Sequence, residues 1–338
     1  MRRLPAEWEA QSAIQFTFPH AETDWQPILL EAEACFVRII ETVTRFQKAL
    51  VVCANRTKTA RLLRGCVQEN LQLVELPSND TWARDHGAIT IFENGKPVLL
   101  DFVFNGWGLK FAANKDNLIT QGLYDEGLFK TRKILRGGIV LEGGAIESDG
   151  QGTLLTTAEC LLSPNRNPHL SKQQIEQKLK KLFGLQRVLW LNHGFLAGDD
   201  TDSHIDTLAR FCDAQTIAYV KCEDSSDEHF GALQAMEEEL QTFRQANGQP
   251  YKLVALPMAD PIYDDKGEER LPATYANFLI LNGAVLVPTY HVPQDAEALK
   301  ILRGCFPDRE IIGLDCRSLI WQHGSLHCIT MQFPEGVC

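Results

Sequence analysis

Four stretches of this chain gather reactive side chains where the flanking sequence reads as apolar strand or glycine-rich turn: NDTWARDHG over 79–87, LEGGAI over 141–146, GDDTDSHID over 198–206 and QHGSLHCITMQFP over 322–334. Strand ends and tight turns are where a rigid scaffold presents catalytic groups. Cys328, at the head of an alternating strand and just after Gly324 and Ser325, is a candidate nucleophile. His204 and Asp206, two apart, would share one face of a strand. Asp85 is a carboxylate at the mouth of the strand AITIF with Trp82 as a wall beside it, and Glu142 follows an apolar run and precedes two glycines. A thiol, a distant imidazole and a carboxylate to orient that imidazole form the Cys–His arrangement of nucleophilic catalysis.

Each feature also has a purely structural reading. NDTWARDHG could be an Asx-turn capped by Asp80 with an internal Arg84 pair, LEGGAI a surface turn, and GDDTDSHID a helix N-terminus capped by Asp199 or Asp202. Cys328 could be one more buried thiol. His204 with His323, His327 and nearby acids could ligate a divalent metal, but HExxH and a full ligand set are absent. The ten cysteines contain no CxxC pair, which excludes zinc-ribbon and thioredoxin motifs, and neither QACxG nor CGSCW is present. Most of these cysteines are therefore expected to be reduced core residues.

The elements that must position these groups alternate closely. Leu29, Ala32, Phe36, Ile39, Ile40, Val43 and Phe46 mark an amphipathic helix from Ile28 to Phe46, followed by the strand ALVVCA, a helix over Thr57 to Cys66, and the strand LQLVEL. AITIF and KPVLLDFVF are joined across Glu93-Asn94-Gly95, a hairpin-type turn. GIVLEGG, GTLLTTAECLL, a helix Ser171 to Phe183 and RVLWL follow. Then come TIAYVKC, a helix Asp227 to Ala246 and YKLVAL, and last FLILN, AVLVPTY, a helix Gln294 to Phe306 and EIIGL. Two strands, a helix and a further strand make one unit, and about five such units fill the chain. No linker composition marks a boundary, so residues 1–338 read as a single domain.

The chain has 338 residues, 44% hydrophobic and 23% charged, with 33 basic against 44 acidic residues and a net charge of −11. These values suit a soluble globular enzyme and exclude collagen, coiled coil and disordered tail. No basic patch reaches the density that nucleic acid requires, whereas an acidic field draws small cations. The opening MRRLPAEWEAQ lacks the apolar core of a signal peptide, and YANFLILNGAVLVPTY is broken by Asn277 and Asn282, so no membrane span is expected. The expected location is the cytoplasm.

PAEW, DTWARDHG, FNGWGLKF, LEGGAI, GTLLTTAECLLSPNRNP, DDTDSHID, YANFLILNG and HGSLHCITMQ, in this order along nearly the whole chain, resemble the agmatine deiminase and bacterial peptidylarginine-deiminase family of guanidino-group-modifying enzymes. The resemblance implies an α/β fold, a five-bladed α/β propeller of pseudo-fivefold ββαβ units of the pentein type. It implies Cys328 as nucleophile, His204 as general acid and base, and Glu142 as the carboxylate orienting the histidine. Asp85 and Asp206 would grip the guanidinium, Trp82 would line the site, and Asp200 would stand near the substrate's far end. Two carboxylates can each accept a bidentate pair from the planar guanidinium fork and fix its carbon over sulfur.

The implied reaction is hydrolytic deimination through a covalent thiouronium, with no metal and no organic cofactor, on a small cationic guanidino substrate. HGA after Asp85 where TGP is common, SHID for GHID, and HGSLHC for a glycine run leave the four reactive residues in place and bear on substrate choice. Agmatine is the first expectation because the secretion signal and extra domains of a secreted peptidylarginine deiminase are not found. Another arginine-like or peptidylarginine substrate, and a non-catalytic guanidino-binding protein, are the alternatives. Homo-oligomerisation is compatible with the sequence and not fixed by it.

Overall fold

Turn chemistry and hydrophobic spacing account for most elements of the computed structural model, which describes residues 1–131 and 134–338. The apolar stripe predicted near the N-terminus is the helix Leu29–Thr44, with Ala32, Cys35, Phe36, Ile39, Ile40 and Val43 buried along one face. Asn94 and Gly95 adopt φ of 53° and 76°, the left-handed pair that a two-residue hairpin needs. They join the antiparallel strands Ile89–Glu93 and Lys96–Val103. Ser171 starts the helix Lys172–Phe183 through a capping box with Gln174, and Gly184 at φ 73° ends it.

Five sheets form among the described residues, and in each an antiparallel pair and a parallel pair share a strand. Thr216–Lys221 lies between antiparallel Ala209–Phe211 and parallel Lys252–Pro257, with the helix Phe230–Thr242 in the crossover. Ala284–Thr289 lies in the same way between Leu279–Leu281 and Glu310–Asp315, crossed by Gln294–Cys305. Thr153–Thr157 separates Ile146–Ser148 from Arg187–Leu191, and Lys96–Val103 separates Ile89–Glu93 from Ile134–Val140. In the remaining sheet the two ends of the chain meet. Thr330–Pro334 runs antiparallel to Gln11–Thr17, with Thr330 opposite Phe16, and Lys48–Cys53 and Leu71–Glu75 continue it in parallel.

Three local expectations change. The predicted strand GIVLEGG stops at Val140, so Glu142 stands beyond it and leads the single turn Gly143–Ala145. The AECL of GTLLTTAECLL forms the helical turn Ala158–Leu161. His204 and Asp206 belong to the short 3-10 turn Ile205–Thr207, whose N-cap is His204, so the strand-face argument fails there. Asp199 instead ties the preceding loop, accepting from Thr201 N and Oγ1 and from Ser203 N at 2.6–3.2 Å. All ten cysteines are free thiols, eight of them buried. Among the described residues no helix is long and apolar enough to cross a membrane.

Polar groups from distant segments meet around the fully buried Arg210. Its Nη2 donates to Glu7 Oε2 at 2.8 Å, its Nε to Glu147, and its Nη1 to the Phe278 carbonyl at 2.7 Å. The guanidinium lies 4.7 Å from the Phe278 ring centroid. This one side chain therefore ties the N-terminal segment to the edge strands Ala209–Phe211 and Ile146–Ser148 and to the residue before Leu279–Leu281. Replacing it strands two buried carboxylates. Arg210→Met should cost about 3–5 kcal/mol in denaturant unfolding. Arg45→Met, which breaks an exposed pair with Glu310, should cost less than about 1 kcal/mol, and equal losses would show that the buried cation has no special role.

Candidate active site

Cys328, His204, Asp206, Asp85 and Glu142 are all buried, and they come together although four separate segments supply them. Cys328 sits in the turn before Thr330–Pro334, held by Asn277. The Asn277 Oδ1 accepts from the backbone N of His327 at 2.8 Å and of Cys328 at 3.3 Å, and its Nδ2 lies 3.3 Å from Sγ. Asp206 Oδ2 is 3.9 Å from Sγ. Burial, then the charges of Asp206 and Asp85, push the Cys328 thiol well above its ordinary pKa. The empty site thus keeps its sulfur protonated.

Asp85 stands on the helical turn Ala83–His86. Its Oδ1 accepts from Gly144 N at 3.0 Å and its Oδ2 from Trp107 Nε1 at 3.0 Å. Burial and the neighbouring Asp206 hold the Asp85 carboxyl well above the usual carboxylate range. For Asp206, burial pushes the same way, but the hydrogen bond and charge of His327, 2.7 Å from Oδ2, together with His204, outweigh it and hold the group below its ordinary value. Asp206 Oδ1 is buried without a protein partner. The two carboxyls are thus shifted in opposite directions, Asp85 up and Asp206 down.

His204 also lacks hydrogen-bond partners on both ring nitrogens. Burial, opposed by Asp206, drives it down to about 3, so its imidazole is neutral at physiological pH. Its Nδ1 is 3.7 Å from Asp85 Oδ1. The expected orienting bond from Glu142 is not made. Both Glu142 oxygens accept from Arg166 Nε at 2.9 and 3.0 Å, while a carboxylate oxygen of Glu142 lies within 4.8 Å of ligand atoms of both His204 and Cys160. That trio, and Glu7 with Glu147 and His327, are the sets that could hold a metal among the described residues. In each, arginine already occupies the carboxylates, Arg166 in one and Arg210 in the other. His323 belongs to neither set.

Close approach explains Gly144, the second of the two glycines after Glu142. A Cβ there would lie 2.5 Å from His204 Nδ1, 2.9 Å from Asp85 Oδ1 and 3.2 Å from Asp206 Oδ2. The backbone passes where no side chain fits. Trp82 and Asp200 line the cleft above Cys328, with Asp24, Asp80, Trp107 and Phe111 among the other walls. Trp82 is buried with Nε1 on Asp80 Oδ2 at 3.1 Å, and burial pushes the Asp80 carboxyl up to about 7. Asp200 is at the rim, its side chain 42% exposed and 4.0 Å from His323 Nε2. In place of the pair expected for Arg84 inside the Asp80 turn, its guanidinium contacts residues distant in sequence, Gln332 Oε1 at 2.5 Å and Glu7 at 3.9 Å.

Trp107, Asn277 and Arg166 lie inside the motifs that carry the resemblance but have no site role readable from sequence, and His327 is there only a possible metal ligand. Their signal was present only as polar or aromatic residues in turns. Trp107 takes a left-handed φ of 54°, as do Asp202 and Ser203 at 62° and 63° just before His204. Such non-glycine conformations persist where the surroundings over-determine them, often at functional sites.

The sequence model of the Porphyromonas-type peptidyl-arginine deiminase family matches residues 3–334, and the chain belongs to that family. Among solved structures, a Porphyromonas gingivalis protein provisionally named an arginine deiminase is 57% identical, covers 100% of this chain and 99% of its own, and superposes with a TM-score of 0.95. The agmatine deiminase of C. jejuni, solved as a Cys-to-Ser variant with substrate bound, is 41% identical over 100% of this chain and 98% of its own, with a TM-score of 0.93. The agmatine deiminase of Pseudomonas putida is 32% identical over 357 residues, 99% of this chain and 96% of the relative.

Two outcomes follow from this geometry. A guanidinium beside Asp85 favours its ionised form, so binding an alkylguanidinium to Cys328→Ala should release a proton. Affinity should rise with pH up to the raised value of Asp85 and then level off, because below it binding must displace the proton. Calorimetry in buffers of different ionisation heat measures this, and no release would mean that Asp85 is already charged in the empty site. Gly144→Ala should lower kcat/KM by about 100-fold or more with little loss of Tm, because a misplacement of about 1 Å at reacting groups costs that much.

Proposed function

We propose that this chain hydrolyses a guanidino group, with agmatine the preferred substrate and N-carbamoylputrescine and ammonia the products. The observation that carries the reading is the pair of buried carboxylates, Asp85 and Asp206, flanking a buried thiol at the floor of a cleft beside an unpartnered neutral imidazole. Asp85 and Asp206 would take the guanidinium N–H groups, with Asp206 Oδ1 gaining the partner it lacks. The arriving cation offsets the two carboxylates, which lets the Cys328 proton pass to His204. The thiolate then attacks the guanidino carbon and forms the C–S bond. The imidazolium protonates one nitrogen, the C–N bond breaks and ammonia leaves. Neutral His204 next takes a proton from water, oxygen bonds to carbon, and collapse of that adduct breaks the C–S bond to give the ureido product and restore the sulfur. Asp206 would favour the imidazolium when it forms, Glu142 with Arg166 would back the ring, and Trp82 would wall the alkyl chain.

Substrate choice rests on the cleft walls and on the relatives. Asp24, Asp80 and Asp200 line the approach, which suits the second cation of agmatine and opposes the α-carboxylate of free arginine. The curated and solved relatives named agmatine deiminases cover nearly the whole chain, while the family name and the Porphyromonas neighbour point to arginine in other contexts.

The same reading arranges the five sheets as the blades of one five-bladed α/β propeller, a single domain over 1–338. Its support is the shared antiparallel–parallel order in every sheet and the convergence of their ends on Arg210 and Cys328. Ten free thiols suit a reducing cytoplasm, and the acidic balance of the chain suits a small cation over nucleic acid.

Ammonia release from agmatine, free arginine and arginine peptides tests the proposal. Agmatine should exceed arginine by about 100-fold or more in kcat/KM, roughly 2.7 kcal/mol at 1.36 per decade. Cys328→Ala should release no ammonia yet still bind. Equal use of free arginine would remove the agmatine assignment, and binding without ammonia from any guanidine would leave only a guanidino-binding protein.

A further inference from the structure

We propose that His327 is a positioning residue for guanidinium binding, which holds Asp206 through Nδ1 and is itself held through Nε2 by Glu7. Neither His327 nor Glu7 has a part in the reaction steps above, and the inference rests on the deiminase reading of the site. His327 is 1% exposed and its two ring nitrogens face two carboxylates at 2.7 Å each, Asp206 Oδ2 and Glu7 Oε2. Asp206 is an acceptor, so the ring hydrogen on that side is on Nδ1. Arg210 Nη2 lies 3.0 Å from Nε2 and donates to the same Glu7 oxygen at 2.8 Å.

Nothing in this chain of contacts is loose. Glu7 Oε1 accepts from the backbone N of Ile280 at 2.8 Å, and the backbone N of His327 donates to Asn277 Oδ1 at 2.8 Å. Residues 320 apart in sequence thus meet behind Asp206. The consequence for Asp206 is specific. A carboxylate on a single Cβ–Cγ torsion can turn, but His327 fixes Oδ2, the oxygen 3.9 Å from Cys328 Sγ, and Oδ1 alone is left without a partner. Binding then needs no reorientation of the acceptor, which is the preorganisation that a rigid grip requires.

The two halves of the imidazole can be tested separately. An asparagine at 327 places its amide nitrogen near the position of Nδ1, whereas a glutamine places its amide near Nε2. His327→Leu should raise the KM for agmatine by about 30-fold or more while kcat falls less, since binding is what is lost. His327→Asn should recover KM to within about fivefold of wild type and His327→Gln should not. Calorimetry with agmatine on the same substitutions in a Cys328→Ala background should give the same order of Kd, Asn tighter than Gln and Leu.

Asn and Gln variants with equal KM and equal Kd, or a fall in Tm with KM unchanged, would show that His327 only supports the fold. If the leucine variant does not fold, the Asn–Gln pair decides alone. A wild-type protein that releases no ammonia would overturn the deiminase reading, and the Kd order would still decide the role of His327.

Discussion

Buried negative charge is the constraint around which this molecule is arranged. A carboxylate removed from water must find a cation, a set of hydrogen-bond donors or a proton. Glu7 and Glu147 share Arg210, and Glu142 has Arg166, with every one of these side chains buried. Asp206 has His327 on one oxygen only, and Asp85 has two neutral donors, the Gly144 amide and the Trp107 indole. Arginine thus answers Glu7, Glu147 and Glu142, whereas the acids beside Cys328 are met by an imidazole and by neutral donors. A guanidinium is the group with which the protein itself satisfies Glu7, Glu147 and Glu142, and the deiminase reading has the substrate bring another to the pair beside Cys328.

Holding that incomplete arrangement open requires a stiff frame, because loose acids would turn toward the nearest internal cation. The strand Thr330–Pro334 pairs with Gln11–Thr17, which brings Glu7 from the start of the chain under His327 from its end. Asn277 fixes the two peptide groups that carry His327 and Cys328. Arg166 reaches past Glu142 to Asp202 Oδ2 at 2.5 Å and to the Thr201 carbonyl at 2.7 Å, so the loop that delivers His204 is anchored to the same pair that neutralises Glu142. The left-handed residues Asp202 and Ser203 are held in that loop by bonds to Lys110, Arg166, Asp199 and Glu159.

Local signals carried much of the fold. The apolar stripe of Leu29–Thr44, the Asn94-Gly95 turn and the Ser171 cap each depend on a few adjacent residues, and each is legible without knowing what packs on it. The order of strands and helices followed from the same short-range patterns. The meeting of Cys328, His204, Asp206 and Asp85 did not: no spacing rule joins positions 85, 204 and 328, and it was reached through resemblance. Two-residue periodicity misled at His204 because Asp199 and Thr201 fold that segment into a turn. The claim of Arg166 on Glu142, across 24 positions, and of Glu7 on His327 depend on tertiary pairing that sequence does not encode locally.

The electrostatics of the empty site also bear on why one thiol among ten would react. Cys328 is as buried as its structural neighbours, and its two flanking carboxylates make the thiolate harder to form than in water. Among the described residues, neither His204, which is neutral, nor Arg84, which lies with Glu7, reverses this. The missing element is positive charge at a point between Asp85 and Asp206, where the proposed substrate brings it. A cation there offsets the charge of Asp206 on the sulfur and favours the ionised form of Asp85, whereas a neutral urea of the same shape would do neither. On the proposed reading the thiol is activated only while a cation lies beside it, and the ureido product removes that charge. Turnover and resetting of the thiol follow from the same change in charge.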